Sequence, residues 1–293
     1  MSESPVSILS DIACRLGEGP VYDPASRTFF WFDILEKKLL EKPFPVGETR
    51  VHALPVMASA MAVVDDKRQL LVTEKGLMLR EAASGRLSTL VEVEADRPDM
   101  RSNDARVHPS GALWFGTMGK NAEHKAGSIY WFFKGEVRRL YPEISIPNAI
   151  CFSPDGKMAH FADTARNLLF RVSCDPDTGL PTSEPRVFID WRRKEGGLDG
   201  AVVDAEGVLW NARWGAGALD AWSPSGERLH TTEIPARQSS CPAFVGDRAD
   251  RIAVTSAWDG LNDAARRADP EAGKTFLVDV DVKGRFEPRV RLA

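Results

Sequence analysis

An apolar run, a turn rich in Asp, Pro, Ser or Gly, and a second apolar run recur through the whole chain. Such self-similarity at a fixed period marks a repeat architecture. Six copies are legible: GPVYDPASRTFFWFD from Gly19, MAVVDDKRQLLVTE from Met61, DARVHPSGALWFGT from Asp104, AICFSPDGKMAHFADT from Ala149, GAVVDAEGVLWNAR from Gly200 and PAFVGDRADRIAVTS from Pro242. Aligned on the turn-entry residues Asp23, Asp65, His108, Ser153, Asp204 and Gly246, they step by 42, 43, 45, 51 and 42 residues. That spacing suits one four-stranded blade per copy. The turns Pro109 to Gly111, Pro154 to Gly156 and Ala205 to Gly207 predict hairpins. A weaker strand pair follows each, as in Ser128 to Phe133 and Glu136 to Tyr141 around Lys134 and Gly135. Long helical periodicity is absent, and Gly and Pro recur too densely for a helical solenoid. The pattern predicts an all-β fold, a six-bladed β-propeller with a central channel, formed by residues 1–293 as one domain.

A propeller leaves no open sheet edge when its last blade borrows a strand from the other terminus. Val6 to Leu9 is the candidate loan, joining carboxy-terminal strands expected around Lys274 to Asp281 and Arg285 to Leu292. The polar stretch between Trp258 and Gly273 reads as a short helix or a lid.

Composition narrows the function classes. With 43% hydrophobic and 27% charged residues in 293, the chain has material for a large core. The formal charge of -4 and the lack of basic runs longer than Arg138–Arg139 or Arg192–Arg193–Lys194 argue against nucleic acid. No stretch reaches the ~18 apolar residues of a membrane span, and the amino terminus lacks a secretory pattern. A cytoplasmic protein with no membrane partner is expected. Cys14, Cys151, Cys174 and Cys241 show neither CxxC pairing nor regular spacing, so reduced, buried cysteines are expected.

The repeat also points to a site. The innermost strands of a propeller line its channel, so one register of the repeat forms a ring. Five residues before each aligned turn stand Glu18, Ala60, Asn103, Asn148, Asp199 and Cys241. Two carboxylates buried in one channel repel unless compensated, and a divalent cation is the simplest compensation. Glu, Asp and Asn oxygens suit Ca²⁺, Mg²⁺ or Mn²⁺ and also accept Zn²⁺. Asn and Asp equally serve as caps of turns and strand entries. Four polar residues at one register favour a common site.

These segments resemble the regucalcin and gluconolactonase (senescence marker protein) family of sugar lactonases over nearly the whole chain. The motifs are LGEGPVYDP at Leu16 to Pro24, RSNDARVHPSGALWFGTM at Arg101 to Met118, IPNAICFSPDGK at Ile146 to Lys157 and LDGAVVDAEGVLWNARW at Leu198 to Trp214. The resemblance implies a six-bladed propeller in which Glu18, Asn148 and Asp199 hold a single divalent metal ion, while Arg101 and Asn103 contact substrate. It departs from the family at Ala105 and Ala149, where glycine is usual, so a methyl group stands beside the site at each. Some members carry a substrate-contacting Glu where this chain reads Gly119, Lys120 and Asn121; Glu123 lies two residues on.

The expected activity is a metal-dependent hydrolase that opens a small-molecule sugar lactone to the free acid, with Asp199 accepting the proton of the attacking water. Arg213 and Trp214 read either as sugar contacts at the channel mouth or as packing between blades. His108, His124 and His160 receive no catalytic task. The alternatives are a non-enzymatic calcium-binding regulatory propeller and a propeller ester or phosphotriester hydrolase.

Overall fold

Each repeat folds as a four-stranded antiparallel sheet, in a computed structural model that describes residues 5–293. The innermost strands of blades 1 to 6 are Gly17–Asp23, Ala58–Val63, Met100–Val107, Pro147–Phe152, Gly197–Val203 and Ser239–Val245. Each touches the innermost strands of both neighbours, so the ring closes as a six-bladed β-propeller. The turns behave as their composition predicts: Gly111, Gly156 and Gly207 donate N–H bonds to the carbonyls of His108, Ser153 and Asp204. Lys134 and Gly135 both have positive φ, 51° and 82°, the geometry of a two-residue hairpin loop whose twist matches its strands.

Burial falls from the axis outward. All eight residues of Met100–Val107 are buried, whereas the outermost strand of the same blade, Glu136–Ile144, is mostly exposed. Six buried apolar clusters fill the six seams between blades. Phe32 and Leu39 of blade 1 meet Leu71 of blade 2; Trp114 of blade 3 meets Phe152 and Phe161 of blade 4; Tyr22 and Trp31 of blade 1 meet Val245 and Ala253 of blade 6. At about 1.5–3 kcal/mol for each large side chain buried, these seams hold the blades against one another. All four cysteines are buried and free.

Blade 6 closes with the amino-terminal loan. Val6–Ser10 pairs antiparallel with Thr275–Val278, which pairs in turn with Arg251–Ser256. The expected strand at Arg285 to Leu292 is not formed, because Val6–Ser10 already occupies the fourth position of that sheet. The chain instead crosses the face at which the innermost strands end. There Ala205 N–H donates to Lys283 O, Gly284 N–H to Ala249 O, Val290 N–H to Val63 O and Arg291 N–H to Gly111 O, each at 2.8–3.0 Å. This strap carries Glu287 beneath the axis, where its carboxylate meets Arg106 Nη1 at 3.1 Å and accepts the Val107 N–H at 2.7 Å.

The polar stretch after Trp258 holds a short helix, Asp263–Ala268, capped by Asn262 on the opposite face, where the innermost strands begin. Among the described residues no helix is long and apolar enough to cross a membrane.

Two expectations test this architecture. Glu287→Ala leaves the buried Arg106 unpaired and should lower stability by about 3–5 kcal/mol; an unchanged denaturation midpoint would show that the strap contributes nothing. Ala149 stands at φ 52°, a region that costs a non-glycine residue about 1–2 kcal/mol. Ala149→Gly should therefore raise the melting temperature by about 2 °C, and calorimetry showing a lower value contradicts the strain.

Candidate functional site

A bulge at the same height of every blade builds the ring. Pairing runs from Glu18 opposite Phe32 to Val21 opposite Phe30, and from Asn148 opposite Ala162 to Cys151 opposite His160. It runs likewise from Ser102 opposite Thr117 to Ala105 opposite Phe115, and from Leu198 opposite Arg213 to Ala201 opposite Asn211. Two residues thus face one, which re-aims side chains and increases the twist. Glu18 and Asn148 are the last paired residues before the bulge, whereas Asn103 and Asp199 are the first inside it. One register counted back from the turn is therefore two adjacent positions on the ladder.

The bulges need close backbone approach. A Cβ on Gly19 would lie 1.9 Å from Ser59 O, and one on Gly200 would lie 2.4 Å from Cys241 Sγ, so neither position admits a side chain. The Asn211 amide donates to Asp199 O at 2.7 Å and Gly200 O at 3.1 Å, pinning the blade 5 bulge. Of the two alanines that depart from the family, Ala149 takes the strained backbone, while Ala105 has no positive φ and packs in the seam between blades 2 and 3.

The structure brings Glu18, Asn103, Asn148 and Asp199 together, and adds Asp104 and Arg101; all six are buried. Asn103 Nδ2 donates to Asn148 Oδ1 and to Pro147 O, both at 2.9 Å. Arg101 Nη1 donates to Asn103 Oδ1 at 2.7 Å and to Ser102 O at 2.9 Å. Glu18 Oε2 accepts the Gly19 N–H at 3.1 Å. Asp104 Oδ2 accepts the Ile150 N–H at 2.7 Å, which ties blade 3 to the strand that carries Asn148. Asp199 Oδ1 and Asp104 Oδ1 are buried without a hydrogen-bond partner among the described residues.

Charge in this space is crowded. Burial, then the charge of Asp104, drives the Glu18 carboxyl upward. Burial, followed by Glu18 and Asp104, drives Asp199 upward as well. Burial also lifts Asp104 to about 6, against the pull of Arg106. Desolvation lowers the Arg101 guanidinium to about 10 although Glu18, Asp259 and Asp199 favour its charge. Below them Arg106 reaches across the axis to Pro20 O, Ala201 O and Cys241 Sγ; burial opposes its charge, but Glu287 and neighbouring groups outweigh it and push its pKa up. Glu287 already pairs with Arg106, so three carboxylates are left with little cationic compensation.

That imbalance and the orphaned Asp199 oxygen fit a hard divalent cation, held by Glu18, Asn148 and Asp199 through oxygen alone. Among the described residues no group of three or more His, Cys, Asp or Glu side chains could hold a metal ion.

Other predicted positions fall outside the channel. Arg213 Nε meets Asp220 at 2.6 Å and its guanidinium lies over Trp191, which follows the last strand of blade 4, so it packs between blades 4 and 5. Trp214 lines a cleft of about 480 Å³ on the site face with Gln238, Asp259 and Leu261. The Asn121 amide binds Glu123 at 2.9 Å on the exposed loop after the second strand of blade 3. His108 is buried between Ser110 and Gly156 O, and His160 packs on Phe188. Residues absent from the sequence reading are Asp104, Arg106, Glu287, Asn211 and Thr164. For Asp104 and Arg106 a signal existed, since polar residues at both positions of a buried strand cannot all serve packing. Glu287 and Thr164 carried none.

The model of the SMP-30/gluconolactonase/LRE-like region matches residues 16–258. A protein of Rhizobium meliloti named "Putative sugar lactone lactonase" is 51% identical over 284 residues, covering 97% of this chain and 96% of its own. An L-arabinolactonase of Azospirillum brasilense is 33% identical over 288 residues, covering 97% and 94%. The solved structure of a calcium-binding protein, regucalcin, from Agrobacterium tumefaciens matches with a TM-score of 0.96 at 52% identity, over 97% of each chain. With its six blades, its bulged polar ring and a family match across most of its length, the chain belongs to the SMP-30/gluconolactonase/LRE-like family.

Proposed function

We propose that this chain hydrolyses a sugar lactone at the mouth of its channel, with a divalent cation held by Glu18, Asn148 and Asp199. The observation that carries the proposal is the set of desolvated carboxylates, two of them with an orphaned oxygen, beside a buried guanidinium with donors to spare. The lactonase names of its relatives support a lactone-hydrolysing enzyme. When bound, the cation supplies Lewis acidity and lowers the pKa of water in contact with it.

The side chains divide the remaining work. Asp199 is assigned to take the proton of the attacking water through the carboxylate oxygen that the cation would leave free. Arg101 has spent the hydrogens of Nη1 and keeps Nε–H and Nη2 for the substrate, where they orient hydroxyls or stabilise the developing oxyanion. Asn103 has spent both amide hydrogens and one acceptor site. It is left able to accept from a hydroxyl but not to donate to one.

A regulatory calcium-binding propeller is the second reading, favoured by the calcium-binding relative from Agrobacterium tumefaciens. Assay on a panel of pentonolactones and hexonolactones separates the two. Chelation should abolish turnover, and one of Ca²⁺, Mn²⁺, Zn²⁺ or Mg²⁺ should restore it; full activity after chelation sinks the cation. Asp199→Asn should reduce kcat by about 10²–10⁴, and wild-type kcat in that variant removes Asp199 from the chemistry. Cation uptake with no hydrolysis of any lactone supports the regulatory reading.

A further inference from the structure

The hydrogen bonds of the ring form a chain with a single direction. Arg101 donates to Asn103, Asn103 donates to Asn148, and Asn148 Nδ2 donates to Thr164 Oγ1 at 2.9 Å. Thr164 Oγ1 then donates to Leu198 O at 2.6 Å, beside Asp199. A carboxamide can turn by 180° and exchange its oxygen for its NH₂, so its orientation must be argued from its partners. Here the partners decide. Leu198 O only accepts, which commits the single Thr164 hydroxyl hydrogen and leaves lone pairs toward Asn148. Pro147 O also only accepts, which commits Asn103 Nδ2 to that side and to Asn148 Oδ1. From both ends the Asn148 oxygen is held toward Asn103 and the NH₂ away from it.

The fold also builds the position of Thr164. Its N–H donates to Ile146 O at 3.0 Å, and the preceding Asp163 accepts the N–H groups of Ser145 and Ile146 on the approach to Asn148. A Cβ on Gly197 would lie 2.8 Å from the Thr164 methyl, so the missing side chain at Gly197 makes room for it.

We infer that Thr164 is a positioning residue that keeps the Asn148 oxygen turned to the cation site, so that cation affinity depends on a hydroxyl that does not itself serve as a ligand. This rests on the cation site proposed above. Thr164→Val keeps the volume but removes the acceptor, so the Asn148 amide is held from the Asn103 side alone; Thr164→Ser keeps the hydroxyl and loses the methyl.

The test is calorimetric titration of the chelator-treated full chain with Ca²⁺, Mn²⁺ and Zn²⁺, each alone, with circular dichroism to establish folding. Wild type should take up one cation, T164V should bind it about 10–100-fold more weakly, and T164S should stay within about threefold of wild type. Equal affinity in T164V overturns the inference while leaving the cation site intact, and so does a T164S as weak as T164V. A wild type that binds none of the three ions overturns the site and this inference with it. If T164V does not fold, Thr164→Ala removes the same hydroxyl without bulk and is judged by the same criteria.

Discussion

Carboxylates crowded together away from water are the constraint on which this molecule turns. Glu18, Asp104 and Asp199 come from three blades and are buried around one axis, where desolvation and mutual repulsion both disfavour their charged forms. Such an arrangement persists only in a scaffold that cannot relax, and the propeller supplies one. Six apolar seams clamp the blades, and the borrowed Val6–Ser10 strand closes the ring so that no blade can swing away. The stability of the seams is what allows the axis to be electrostatically unfavourable.

The two ends of the channel treat charge differently. At the closed end the carboxy-terminal strap brings Glu287 to Arg106, so the one guanidinium placed to neutralise the carboxylates from below is itself neutralised. At the open end Arg101 is desolvated and partly committed to Asn103, which makes it a donor toward the mouth more than a counter-ion for the ring. Asp104, whose Oδ2 ties blade 3 to the Asn148 strand, joins structure and electrostatics in one side chain.

Much of this was legible in the residues. The spacing of Asp23, Asp65, His108, Ser153, Asp204 and Gly246 predicted the six blades, and the polar register predicted that Glu18, Asn103, Asn148 and Asp199 meet. The reading failed where contacts cross the molecule. Arg285 to Leu292 alternates like a strand, yet Val6–Ser10 fills the place it would take in blade 6. Arg213, open by residue type between a ligand contact and packing between blades, pairs with Asp220 and lies over Trp191, partners that only the tertiary structure supplies. Ala149 looked like a steric change beside the site and is instead a backbone strain, visible only from its φ.

By itself the sequence determined the periodicity, and with it the fold, because hydrophobic alternation and turn residues act locally and repeat. It also determined which acids and amides share a height in the channel, since a propeller converts one register into one ring. Only the tertiary structure decided which way those side chains point and what compensates them. The bulges that aim Glu18 and Asp199, the Thr164 hydroxyl that orients Asn148 and the Glu287 carboxylate that answers Arg106 are all set by partners on other strands or loops, in the last case 181 residues away in the chain. Hydrogen-bond direction and charge balance depend on neighbours in space, and distance along the chain carries no record of them.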